Sequence, residues 1–140
     1  MLYSKLTTLT FQVEKVGLKL IIRPGPFICA EWEYGGLPSW LLRDPNMEIR
    51  SSSNKAYMTA VENYFSKLLP MLAAFGHKRG GPIIAFQIEN EFGSYGNHDP
   101  HYLNFLKNMY SKYGIQELLF TSDGHDKLTN GTLPGKNSLM

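Results

Sequence analysis

Cysteine is almost missing from this chain. Cys29 is the only one in 140 residues, so there is no internal disulfide framework, and a zinc site built on cysteines is excluded. An excess of either charge is missing too. Fourteen basic against twelve acidic residues leave a net charge of +2, too small to argue for nucleic acid or a membrane surface, and no Lys/Arg-rich run alters that. No apolar stretch reaches the roughly 18 residues of a membrane-spanning helix. The N-terminal MLYSKLTTLTFQVEKVG has no apolar core of the signal-peptide kind. Internal repeats and low-complexity segments are absent. What remains is 43% hydrophobic and 13% aromatic, enough for one ordinary globular domain and unlike a disordered chain.

Residues 18–23 (LKLIIR) predict a strand buried on both faces, stopped by Pro24, Gly25 and Pro26. Residues 11–16 before it end a helix, with Gly17 as its stop. Residues 27–50 are irregular and rich in Gly, Pro and Trp. A helix is expected from about Asn54, with Tyr57, Val61, Tyr64, Phe65, Leu68 and Leu72 at helical spacing. Pro70 is expected to kink it. Residues 82–88 (PIIAFQI) form the second strand. Asp99 and Pro100 open another helix as cap and first-turn proline, and Leu103, Leu106, Met109, Tyr110 and Tyr113 form its stripe before Gly114. Residues 117–121 (ELLFT) form the third strand.

Strands alternating with helices predict an α/β fold with parallel strands and crossover connections. A (β/α)8 barrel and a doubly wound open sheet both fit. A complete barrel takes about 250 residues; three strands cannot close one, so the barrel reading makes this chain an incomplete barrel, a piece of a larger protein.

Polar residues follow each strand. The first leads to Arg23 and then Cys29, Ala30, Glu31 and Trp32; the second to Glu89, Asn90 and Glu91; the third to Ser122 and Asp123. Loops at the carboxyl ends of parallel strands converge on one pocket, which is what an α/β active site requires. No glycine-rich phosphate loop follows any strand, since PGP and SDG are neither GxGxxG nor GxxxxGK. The remaining chemistry is that of carboxylates beside aromatic rings, with Trp32, Tyr34, Trp40, Phe92 and Tyr95 all in these loops. Sugars offer hydroxyls to acids and amides, and C–H faces to aromatic rings. Glycoside hydrolysis needs two carboxyls, one to donate a proton and one to act as nucleophile or base. Spacing alone does not separate that role from a structural ion pair with Arg23.

The segments RPGPFICAEWEYGGLPSWLL, GGPIIAFQIENEFGSYG and LLFTSDG, in this order, resemble the family 35 glycoside hydrolases, the β-galactosidases. The likeness runs from about residue 16 to about residue 135. It implies a (β/α)8 barrel, cleavage of a galactoside or galactose-terminated glycan with retention, and no metal or organic cofactor. It places a substrate-holding amide on Asn90 and the proton-donating acid on Glu91, and assigns contacts with the galactose hydroxyls to Ala30 and Glu31. The family's nucleophile, a second Glu at the end of strand six, lies beyond Asp123, and no residue here takes that role. Strands one and two and a substrate-contacting tyrosine are also missing. Residues 1–140 are therefore expected to be a partial catalytic domain holding strands three to five, inactive by itself, with unpaired edge strands open to association. Its members are generally secreted or lysosomal. The alternative is a truncated product that binds sugar weakly or associates with a complete homologue. No sequence feature sets an oligomeric state.

Perfect strand alternation puts Asn90 and Glu91 on opposite faces, so both reach one pocket only if the strand breaks there, at a bulge or the start of the loop. Glu89 is read as structural, holding Arg23 or a neighbouring strand. Asp123 is either a pocket wall or a turn former. Trp32 and Trp40 are read as packing under a loop and Cys29 as a small buried filler. His98 and His101 flank a helix cap rather than a metal. Asn130, Gly131 and Thr132 have the form of a glycosylation sequon.

Overall fold

The computed structural model describes residues 2–96 and 98–133, with side chains from residue 5 onward. Helix α1 (Leu2–Lys15) leads into strand β1 (Leu20–Ile22); α2 (Lys55–Ala73) leads into β2 (Ile83–Gln87); α3 (Pro100–Lys112) leads into β3 (Leu118–Phe120), followed by a short α4 (Leu128–Gly131).

Local chemistry sets the helix ends. Asn54 Oδ1 accepts the Tyr57 N–H at 2.9 Å and so caps α2, and Asp99 Oδ1 accepts the Tyr102 N–H at 3.0 Å to cap α3, with Pro100 in the first turn. The stops of α1 and α3 are left-handed glycines, Gly17 (φ 77°) and Gly114 (φ 82°). At each, two N–H groups turn back onto the last helical carbonyls: Gly17 to Glu14 and Leu18 to Val13, then Gly114 to Ser111 and Ile115 to Tyr110. Helix α2 runs through Pro70 and ends at Ala73.

The three strands pair in parallel in the order β1-β2-β3. Consecutive parallel strands lying side by side, each joined to the next through a helix, make this chain a three-stranded section of a (β/α)8 barrel. The register row Ile22, Phe86 and Leu119 packs into the helix-covered core. There the Tyr110 ring meets Phe65 and Phe86 edge-on at 5.5 and 5.7 Å. The stripe residues expected in α2 and α3 line that core, except Tyr64, which is exposed, and Tyr113, which is half-buried.

The row Ile21, Ala85 and Leu118 behaves differently: Ala85 in its centre is buried, but its two ends are open. Ile21 is 55% and Leu118 41% exposed, so the first strand is not buried on both faces as its composition suggests. Among the described residues, helices cover one face of the sheet, and no element covers Ile21 on the other.

Candidate active site

Each strand ends in a loop whose backbone departs from extended geometry. Strand β2 ends at Gln87; Glu89 (φ 63°) and Glu91 (φ 47°) then adopt left-handed conformations with Asn90 between them. This is the break that Asn90 and Glu91 require to escape strand alternation, and it comes before Gly93. Both neighbouring loops hold it in place, since the Glu89 N–H donates to Gly25 O at 3.2 Å and the Glu91 N–H to Ser122 O at 3.0 Å.

The loop after β1 contains a left-handed turn of three non-glycine residues, Cys29, Ala30 and Glu31 (φ 58°, 52° and 53°), closed by the Trp32 N–H donating to Cys29 O at 2.9 Å. Each such residue costs about 1–2 kcal/mol in L-amino acids. Among the described residues, the non-glycine positions with positive φ are these three, Tyr34, Arg50, Glu89 and Glu91. Backbone strain confined to one set of loops is an observation that points to function.

Ala30, Glu31 and Glu91 are exposed and Asn90 is half-buried. Arg23 links the two loops: its Nη2 donates to Asn90 Oδ1 at 2.6 Å and to Ile28 O at 3.5 Å. Gln87 Nε2 donates to Glu89 O at 3.0 Å and to Asn90 Oδ1 at 3.5 Å. The Asn90 amide is thus oriented from two sides by cationic and neutral donors. No ion pair holds Glu31 among the described residues, so the salt bridge with Arg23 that its position allowed is not formed.

Glu89 is structural, but its partner is not Arg23. Its buried carboxylate accepts Arg50 Nη2 at 2.7 Å, the Tyr102 hydroxyl at 2.6 Å and the Asn90 N–H at 3.1 Å. Because Tyr102 donates to Glu89, the Tyr57 hydroxyl 3.1 Å away donates to Tyr102. Burial pushes the Glu89 carboxyl up, against the opposing pull of Arg50 and these hydrogen bonds. Burial first, and then the charge of Glu89, hold the Tyr57 and Tyr102 hydroxyls far above the ordinary phenol range.

Arg50 is the residue that sequence reasoning missed. It stands in the irregular 27–50 stretch with no motif around it, yet its guanidinium is buried, 4.2 Å from the Phe27 ring centroid and 4.5 Å from that of Tyr95. Its Nη2 also donates to Asn90 O at 2.6 Å. No local pattern announces a buried arginine at this position. Tyr57 was legible only as a core position of α2, and Tyr102 was not singled out at all.

Asp123 Oδ1 accepts the Gly93 N–H at 2.7 Å, while its carboxylate packs where a Gly131 side chain would stand. It therefore pins the loop that follows Glu91. Burial raises its carboxyl, the charge of Glu91 raises it further, and the Gly93 N–H opposes both. Three readings need correction. Trp32 is 72% and Trp40 52% exposed, so neither packs beneath a loop, and Cys29 is exposed rather than a buried filler. The strained turn holds Cys29 and Trp32 outward. Asp99 is occupied by its cap and by Ser52, and His98 Nδ1 lies 3.2 Å from Asn130 O. Among the described residues no three His, Cys, Asp or Glu cluster as metal ligands.

The glycosyl hydrolases family 35 profile matches residues 4–139, and the chain belongs to that family. It is 50% identical over 121 residues to human "Beta-galactosidase-1-like protein 2", a match that covers 86% of this chain and 19% of the relative. It is 47% identical over 124 residues to the "Beta-galactosidase" of Bos taurus, covering 86% of this chain and 19% of that protein. The "Beta-galactosidase" of Xanthomonas manihotis is 47% identical over 119 residues, with 84% and 20% covered. The chain spans about a fifth of the length of these curated relatives. No helix among the described residues is long and apolar enough to cross a membrane.

Proposed function

We propose that residues 1–140 are part of the catalytic domain of a glycosidase that removes terminal β-linked galactose with retention of configuration. The observation that supports this most is the Asn90–Glu91 pair. An exposed carboxylate stands at the carboxyl end of a parallel strand, on a left-handed backbone, beside an amide that Arg23 holds at 2.6 Å. Family membership and the galactosidase names of the relatives support the sugar class.

In this reading Glu91 protonates the leaving oxygen and later deprotonates the attacking water. Asn90 holds a sugar hydroxyl, and Ala30 and Glu31 hold others from the strained turn. The nucleophilic carboxylate comes from outside residues 1–140 and sits about 5–5.5 Å from the acid, the separation of a retaining pair. These steps use carboxyls and an amide alone and draw on no cofactor.

The test is Glu91→Gln in a polypeptide that joins this segment to the rest of its barrel. Turnover of galactosides with poor leaving groups is expected to disappear, while an activated aryl galactoside, which needs no proton, loses far less. Equal losses on both substrates, or none on either, would refute the acid role.

The exposed Ile21 and Leu118 row favours a second reading, in which this section associates with a complete homologue through its open sheet face. Co-sedimentation of the two chains, lost on Ile21→Lys, is its expected signature.

A further inference from the structure

We infer that Arg50 is a positioning residue for the acid Glu91, acting through the backbone of Asn90; this rests on the acid role proposed above for Glu91.

The geometry that points to it is the use of a single nitrogen. Arg50 Nη2 donates both to the Glu89 carboxylate at 2.7 Å and to the Asn90 carbonyl at 2.6 Å. The first contact fixes the residue before Asn90 and the second fixes the peptide joining Asn90 to Glu91. The strained stretch thus has a charged clamp on either side of Asn90, and Glu91 is the next residue along. Left-handed φ values at Glu89 and Glu91 persist only where surrounding contacts over-determine them. Here those contacts are the Arg50 clamp, the Glu89 N–H donating to Gly25 O at 3.2 Å and the Glu91 N–H donating to Ser122 O at 3.0 Å.

The clamp is itself immobilised. Arg50 is 4% exposed, has a positive φ of its own (56°), and its guanidinium lies over the rings of Phe27 and Tyr95, 4.2 and 4.5 Å from their centroids. Those rings belong to the two candidate loops, Phe27 ahead of Ala30 and Glu31, and Tyr95 just after Glu91. One planar cation therefore sets the relative height of both loops. A lysine keeps the charge but lacks the planar face that lies over the rings, and its shorter, single ammonium has no fixed fork of donors for two acceptors. Arg50 Nε has no hydrogen-bond partner in its buried setting, so the guanidinium is held through its outer nitrogen and its faces, and not as a generally satisfied core cation.

The experiment compares Arg50→Lys with Leu69→Ala, a core deletion in α2 far along the chain from the loops, chosen to lower the melting temperature to a similar degree. In the enzyme containing the whole barrel, Arg50→Lys is expected to cut kcat on a poor-leaving-group galactoside about tenfold or more relative to an activated aryl galactoside, since small misplacements of a reacting group carry penalties of that order. KM is expected to change little. Leu69→Ala should leave the ratio between the two substrates as in the parent. In the same enzyme, amide hydrogen exchange gives a readout independent of activity: Arg50→Lys should speed exchange at Asn90 and Glu91 selectively, while Leu69→Ala should not. Equal losses on both substrates with uniform exchange changes would make Arg50 a purely structural residue and overturn the inference. If Glu91→Gln shows the leaving-group dependence and Arg50→Lys does not, this inference falls while the acid assignment stands. If Glu91→Gln itself lacks that dependence, the acid assignment falls first, and this inference with it.

Discussion

Arg50 Nη2 lies 2.7 Å from Glu89 Oε2, and the two side chains are 4% and 1% exposed. Removing one partner of such a buried pair leaves an uncompensated charge and costs about 3–5 kcal/mol. Arg50→Met is therefore expected to lower the unfolding free energy by about that amount, measured by urea denaturation. The double variant Arg50→Met with Glu89→Gln should lose clearly less than the sum of the two single changes, because each single change leaves the other member buried without its partner. Additive losses would show that the two side chains do not depend on each other.

Asp99 gives a pH-dependent handle. Burial tends to raise its carboxyl, but the N–H groups of Ser52 and Tyr102 and the Ser52 hydroxyl outweigh that and hold it below its ordinary value of 3.8. A carboxyl whose folded pKa is depressed contributes stability above its unfolded pKa and loses it as pH falls through the folded one. Asparagine caps a helix about as well as aspartate, so Asp99→Asn keeps the cap on the Tyr102 N–H while removing the charge and the acceptor that faces the Ser52 N–H. Melting temperatures across a pH series should show the parent above the variant near neutrality, with the gap closing on acidification below about pH 4. A gap independent of pH would contradict the assignment.

Gly35 stands with φ 62° where an added Cβ would overlap the Phe27 ring. Gly35→Ala incurs the left-handed penalty of at least about 1 kcal/mol and also pushes Phe27 away from Arg50. The expected result is a drop in melting temperature together with faster amide exchange at Asn90 and Glu91. A drop without the exchange change would mean that Phe27 is not part of the clamp.

Trp32 is one of two tryptophans and stands exposed beside Glu31. Galactose titrated into the chain is expected to shift tryptophan emission, and the shift should vanish in Trp32→Phe while surviving in Trp40→Phe. An unchanged spectrum at saturating sugar would leave Ala30 and Glu31 without a sugar contact in this chain.

Much of the fold is legible in the sequence. The Asn54 and Asp99 caps, the Gly17 and Gly114 stops, the helix stripes and all three strands follow from interactions spanning only a few residues. Such signals depend on propensity, side-chain reach and φ alone. The strand ends were trimmed by a residue or two, and the doubled burial expected for β1 was wrong because composition reports how apolar a strand is, not which of its faces is covered. The need for a break near Asn90 was also visible, since alternation and a shared pocket are incompatible.

Partnerships across the chain were not visible. Arg23 takes the Asn90 side chain across 67 positions, and Glu89 pairs with Arg50 across 39. Which cation reaches a buried carboxylate depends on how two loops of irregular backbone cross above the sheet, and an irregular loop has no period from which its path can be read. The sequence by itself determined the order of helices and strands, their caps and the loops that carry the acids. Only the tertiary structure decided that Glu89 faces inward to Arg50 and Tyr102, that Trp32 and Cys29 face outward, and that Glu91 emerges from a left-handed turn, because burial and long-range pairing arise when distant segments compete for the same space.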